Sequence, residues 1–317
     1  MRWFPDGDRK WNRSRPPVGS SAIWKSTDGL YDISASAAFS LTCENRAIET
    51  LGFRSILPTH PMYHSDNLLP PERALVSTLA RVRVATVNQL SQVVSGGADW
   101  RTGVRRTRIR LDRLVRFGVI RRFPNTSEER SAGPAGYVYA LTAAGLRLAG
   151  AQTPTAQRRA WQPKPLTLSH WLAISELYVQ LTAAVRSTST ELTDFEVEAD
   201  ARRTFHDFAG RHVLRPDALV RLANPTLRWS YFIEVDRSTE SPRRLAEKCQ
   251  AYRAYELVGD EQLLHGVFPL VVFVVPDEHR AQAVRRVTQA QPADARDLFL
   301  VVTQTEAIRL LASPTTE

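Results

Sequence analysis

The sequence predicts an α/β protein in two successive modules, the first mostly helical and the second built on a mixed sheet. Three observations carry that reading. Between residues 70 and 150, three helical periodicities are followed by two strand-like runs and a short helix. From residue 166 onward, helical and strand spacings of apolar residues alternate in the order α-β-β-β-α-β-α-β-α. Between the two lies AQTPTAQRRAWQPKP, residues 151–165, rich in Pro, Gln and Arg and without periodicity, as a linker would be.

Residues 1–66 are rich in Ser, Pro, Gly and Trp and show no periodicity, which predicts a poorly ordered extension. Met1 and Met62 are the two methionines. Met62 falls just before the first strongly helical segment, so a natural start there and a dispensable upstream segment are expected. From Pro70, a Pro-Pro-Glu start leads into Leu75, Leu79 and Val82 at helical spacing. Thr86 is a good N-cap for a second helix with Val87, Leu90, Val93 and Val94 on one face, ended by Ser-Gly-Gly at 95–97. A third helix runs from about Trp100 to Phe117, with Val104, Ile109, Leu111, Leu114 and Val115 as its apolar residues and Gly118 closing it. GVIRRFP and YVYALT then read as a β-hairpin with a long loop, and Thr142 caps a last short helix. Three helices followed by a two-stranded wing is the winged helix-turn-helix order, here spanning residues 67–150.

The second module, residues 166–317, opens with a helix of about 20 residues, LTLSHWLAISELYVQLTAAVR. ELTDFEVEAD, VLRPDALVRL and WSYFIEVDR read as three strands, and PRRLAEKCQAYRAYELV as a helix. FPLVVFVVP is apolar enough for a central strand buried on both faces. A helix (DEHRAQAVRRVTQA), a strand (DLFLVVT) and a terminal helix (EAIRLLA) complete an α/β module with a mixed sheet, α+β over the whole chain.

Composition narrows the function. With 43% hydrophobic and 24% charged residues in 317, the chain has the make-up of a soluble globular protein long enough for two cores. No apolar run approaches the ~20 residues of a membrane span, and the amino terminus lacks the apolar stretch of a secretory signal. Cys43 and Cys249 form no C-x-x-C pair, which argues against a disulfide framework or structural zinc and for a cytoplasmic location. A net charge of +9 points to a polyanionic partner, nucleic acid before membrane.

That charge is concentrated. Arg101, Arg105, Arg106, Arg108, Arg110, Arg113, Arg116, Arg121 and Arg122 stand against one acid, Asp112, and account for nearly the whole excess. Arg105, Arg108 and Arg116, or Arg106, Arg110 and Arg113, recur at three- and four-residue steps and line part of a helix face. Arginine binds phosphate and reads guanine bidentately, so such a helix behind two others is a candidate for duplex DNA, with Arg121 and Arg122 adding phosphate contacts from the wing. The bland alternative is a solvated basic face.

The second candidate site is acidic. Asp217 follows Arg215-Pro216, and Glu234 begins Glu234-Val235-Asp236. The spacing suits two neighbouring strands with both carboxylates on one side, the oxygen pair that Mg²⁺ or Mn²⁺ requires. Glu176, Glu196 and Glu198 are further candidate oxygen donors. His170 reads as a packed or hydrogen-bonded helix residue. No phosphate-cradling glycine motif and no His-x-His is present.

At these residues the chain resembles the PD-(D/E)XK nuclease fold, with P-D on one strand and E-x-[K] on the next. More closely, RPDALVRL…YFIEVDRSTES…RLAEKCQAYRAY behind the helical module resembles the replication-relaxation family, over roughly residues 70–275. The resemblance implies DNA transactions of plasmids and mobile elements, and a restriction-endonuclease-like second module. It implies Asp217 and Glu234 as ligands of a Mg²⁺ ion if the site is active, and no cofactor otherwise. The departure is Asp236, which stands where the lysine of a nuclease would orient water and stabilise phosphate charge. Lys248 on the following helix is the residue able to replace it. Alternatively Arg237 or Arg244 neutralises the acids, and Asp236, Thr239 and Glu240 cap that helix. The expected function is a DNA-binding accessory protein in mobile-element replication, relaxation and transfer. Its partners would be double-stranded DNA, a relaxase or replication initiator, and a second copy of the chain. A Mg²⁺-dependent endonuclease using Asp217, Glu234, Asp236 and Lys248, and a transcriptional regulator, are the alternatives.

Overall fold

The computed structural model describes residues 68–95, 99–126, 136–150 and 164–312, all within one compact unit, His60–Thr315. The expected amino-terminal extension, the Met62 start, most of the linker and the hairpin loop lie outside the described residues.

Helix α1 (Pro70–Val82) leads through a short strand, β1 (Val84–Thr86), into α2 (Val87–Val94), and α3 (Trp100–Arg116) follows. Strands β2 (Ile120–Pro124) and β3 (Tyr137–Leu141) and helix α4 (Ala143–Leu148) complete the first part. Thr86 caps α2 as its sequence suggests, exchanging bonds with Gln89, and Asp99 caps α3 by accepting from the Thr102 amide at 3.0 Å. The two-stranded hairpin gains a third strand that the sequence does not predict: β1 pairs antiparallel with β3, giving the order β1-β3-β2. Leu75, Leu79, Leu90, Leu111, Leu114 and Ile120 form its core.

Helix α5 (Pro165–Val185) opens the second part. A five-stranded mixed sheet follows, in the order β10-β9-β8-β7-β4. Here β4 is Glu191–Val197, β7 Ala218–Ala223, β8 Arg228–Val235, β9 Leu270–Val275 and β10 Phe299–Thr303. β4, β7 and β8 run antiparallel, whereas β8, β9 and β10 run parallel and need helical crossovers. The crossovers are α6 (Pro242–Val258) with the short α7 (Asp260–His265), and α8 (Glu278–Gln289). α5 and the last helix, α9 (Gln304–Ala312), cover one sheet face through Ile174, Leu177, Leu181, Ala307 and Leu311. α6 and α8 cover the other through Leu245, Tyr252, Ala281 and Val284.

Two departures from expectation bear on the site. VLRPDALVRL is not one strand. Pro216 has no amide to donate, and the run divides into β6 (Gly210–Leu214), paired with β5 (Arg203–Asp207) in a separate hairpin, and β7. Asp217 thus precedes a strand instead of lying within one. The helix after β8 is capped by Ser241, which accepts from the Arg244 amide, and not by Asp236, Thr239 or Glu240.

Close approach of backbone fixes two contacts in the first part. A Cβ on Gly103 would meet the Ser95 hydroxyl at 2.7 Å, so α3 lies tight on α2. A Cβ on Gly145 would lie 2.2 Å from the Val119 carbonyl oxygen, which belongs to the backbone and has nowhere to go. Gly145→Ala is therefore expected to destabilise the fold by about 1–3 kcal/mol through overpacking. Urea unfolding followed by circular dichroism measures it, and an unchanged midpoint would show that α4 can lift off without cost.

Candidate functional site

The arginines of α3 divide according to what they touch. Arg101, Arg105, Arg108 and Arg116 follow one another at steps that return to the same helix side, and all four are exposed, as is Arg106. The opposite side carries Gly103, Thr107, Leu111 and Leu114 into the core. Among the described residues no ion pair engages Arg101, Arg105, Arg106, Arg108, Arg110 or Arg116. Arg113 differs. It pairs at 3.2 Å with Glu72, a fully buried acid whose other oxygen accepts from the Leu69 amide at the start of α1. Arg122 pairs with Asp112 at 2.9 Å and lies over the Tyr137 ring, tying the hairpin to the outer side of α3. Arg121 is half-buried, and burial lowers its pKa. The result is a helix that, among the described residues, displays a row of guanidinium groups without acidic partners beside a two-stranded hairpin.

The acidic cluster forms at one end of the five-stranded sheet. Glu234, near the end of β8, is 2% exposed and faces α6. Helical spacing puts Lys248 and Tyr252 on one side of α6, and both reach it. Lys248 Nζ donates to Glu234 Oε2 at 2.7 Å, and the Tyr252 hydroxyl donates to Oε1 at 2.6 Å. Lys248 also pairs with Glu240 at 2.9 Å. Asp217 sits where the β7–β8 ladder ends. Its amide donates to the Ile233 carbonyl, and its Oδ2 accepts from the Val235 amide at 2.8 Å. Asp217 Oδ1 lies 3.0 Å from His170 Nε2 on α5, arriving from the other sheet face.

The charges in this cluster set one another's pKa. Burial foremost, and then the negative charge of Asp217, pushes Glu234 up to about 7, against the pull of Lys248 and Tyr252. Burial works to lower Lys248, but Glu234 and Asp217 outweigh it and hold the ammonium above its ordinary value. Lys248 therefore stays charged. For His170, burial is again opposed and outweighed, here by the hydrogen bond and charge of Asp217, and its pKa rises.

Asp217, Glu234 and Lys248 are thus brought together, while Asp236 is not. Asp236 Oδ2 accepts from Arg280 Nε at 2.9 Å and Nη2 at 2.7 Å, and its Oδ1 accepts from the Ser238 amide. The acids read as further oxygen donors also lie elsewhere. Glu176 accepts from Gln89 and Gln180, Glu196 from Arg203 and Arg221, and Glu198 is paired with Arg83. Among the described residues Arg244 pairs with Glu240, at 3.9 Å. Sequence reasoning assigns no role to Tyr252 in the cluster or to Glu240 beside Lys248; the four-residue step from Lys248 to Tyr252 is the signal for the former.

As arranged, the carboxylates of Asp217 and Glu234 are engaged by protein partners. A hard divalent ion takes oxygen ligands, and here it would have to share these carboxylates with the partners they already hold. Both Glu234 oxygens and both Asp217 oxygens already have partners, and the Lys248 ammonium rests on the carboxylate an ion would share. Among the described residues no group of three or more His, Cys, Asp or Glu side chains is placed to hold a metal ion.

Fold and site together define an α/β protein with an arginine-bearing helix and a carboxylate–lysine cluster at the end of a mixed sheet. The replication-relaxation family model matches residues 76–271, more than half of the chain, and the chain belongs to that family. No curated protein and no solved structure matches it. No described helix is long and apolar enough to cross a membrane.

The Glu234 shift has a measurable consequence. Because its folded pKa of about 7 lies above the ordinary 4.5, the folded chain holds a proton that the unfolded chain has released. Its stabilising contribution is complete below the unfolded value and is lost as pH rises through the folded one. Glu234→Gln abolishes that titration. Its stability relative to the unsubstituted protein should therefore climb between about pH 4.5 and about 7, read from urea midpoints at each pH. A constant difference across that window would mean that Glu234 titrates as an ordinary carboxylate.

Proposed function

We propose that this chain is a DNA-binding accessory protein in the replication or relaxation, and the transfer, of plasmids or other mobile elements. The family supports the setting, and the uncompensated arginine row on α3 is the observation that carries DNA binding. The succession α1-β1-α2-α3-β2-β3 with a β1-β3-β2 sheet supports reading residues 67–150 as a winged helix-turn-helix. α3 is then the recognition helix and β2–β3 the wing. Arg101, Arg105, Arg106, Arg108 and Arg110 meet duplex DNA, and Arg122, paired with Asp112, holds the wing beside them. Arg113, bound to buried Glu72, ties α3 to α1.

The acidic cluster supports a nuclease-like descent for residues 166–317 with a non-catalytic role. Lys248 and Tyr252 engage Glu234, and Asp236, at the position of the expected lysine, is held by Arg280. That part of the molecule would offer a further DNA contact or a docking face for a relaxase or replication initiator.

Two measurements test the proposal. Arg105→Ala/Arg108→Ala should weaken duplex binding and reduce the slope of log K against log salt by about 2, since each phosphate contact contributes ~0.9. An unaltered slope would remove α3 from the interface. Incubation of supercoiled and linear DNA with the protein and Mg²⁺ or Mn²⁺ should give no cleavage. Cleavage that disappears in both Asp217→Ala and Glu234→Ala would establish the endonuclease reading instead, and a footprint confined to one promoter would favour a transcriptional regulator.

A further inference from the structure

Ile109 is an apolar side chain in the middle of the α3 arginine surface, 59% exposed. It takes no part in the core of its own module, which α3 reaches through the opposite side. On the helix it stands four residues after Arg105, three after Arg106 and four before Arg113, so it lies between the two arginine rows. The periodicity of the sequence predicts a core residue; the structure turns it outward.

We propose that Ile109 reads thymine in the major groove of duplex DNA, an inference that rests on α3 being the recognition helix. Guanidinium groups on either side hold the helix against phosphates and guanine edges, which leaves the side chain between them facing the groove floor. An isoleucine side chain neither donates nor accepts a hydrogen bond. The one apolar group that base edges present in the major groove is the C5-methyl of thymine. Ile109 therefore favours thymine over cytosine and over any base lacking that methyl, and it adds sequence preference to a surface whose arginines mainly supply affinity.

The full-length protein is first used to select binding sites from randomised duplexes. Each thymine of the selected duplex is then replaced in turn by deoxyuridine, which differs only in the missing methyl. The unsubstituted protein should lose about three- to fivefold in affinity at one or two positions, the value of one buried methyl group. Ile109→Ala should bind the thymine duplex correspondingly more weakly and show no loss on deoxyuridine replacement. Its salt slope and melting temperature should match the unsubstituted protein, because Ile109 is neither charged nor part of the core. Indifference of the unsubstituted protein to every methyl would overturn the inference while leaving DNA binding intact. Retention of the deoxyuridine effect by Ile109→Ala would overturn it equally, because another residue would then be reading the methyl. Absence of binding to any duplex would instead overturn the DNA-binding proposal, and this inference with it.

Discussion

Helix α5 has no polar stripe wide enough to face water, and much of the architecture follows from satisfying that. Its apolar residues run around the helix, as in helices buried on several sides. Ile174, Leu177 and Leu181 go to the five-stranded sheet, while Leu168 and Leu172 meet Val84, Phe123, Val138 and Ala140 of the three-stranded one. Several polar groups on α5 find partners in both parts, and an unpaired buried donor or acceptor costs about 1–3 kcal/mol. Ser175 donates to the Val84 carbonyl at 2.6 Å, Glu176 accepts from Gln89 of α2 at 2.9 Å, and His170 meets Asp217. One helix thereby connects the part that carries the arginines with the sheet end that carries the acids.

How much of this is legible in the sequence depends on how local the cause is. Helices α1 to α6 and the strands β8 to β10 show in the apolar spacing because burial imposes 3.6- or two-residue periods on their own residues. β1 is three residues long, too short to show a period, and exists only because β3 lies beside it. The β5–β6 hairpin is polar at its turn and apolar mainly at Phe205 and Leu214, so its alternation is weak. At the site, the convergence of Asp217 and Glu234 follows from adjacent strands, and Lys248 is within reach by helical geometry. The partners that decide what those acids do come from far along the chain. Arg280 reaches Asp236 across 44 residues, and His170 reaches Asp217 across 47. The pair between Glu72 and Arg113 is likewise a product of packing between α1 and α3.

Charge pairing divides scaffold from function in this molecule. Taking an ion pair out of water gains little net stability, but removing one partner leaves a buried charge at a cost of about 3–5 kcal/mol. Glu234 with Lys248, Asp236 with Arg280 and Glu72 with Arg113 are of this kind, each with a carboxylate at most 3% exposed at its side chain. Such pairs specify how elements dock and have little left for a ligand. The α3 row is the opposite case, because guanidinium groups kept in water repel one another by only about 0.2–0.5 kcal/mol per neighbouring pair and keep their hydrogen bonds for phosphate. A lysine that neutralises the acids of a sheet end and a helix that leaves its arginines unneutralised are two outcomes of one rule: a charge is available to a partner only where folding has not already engaged it.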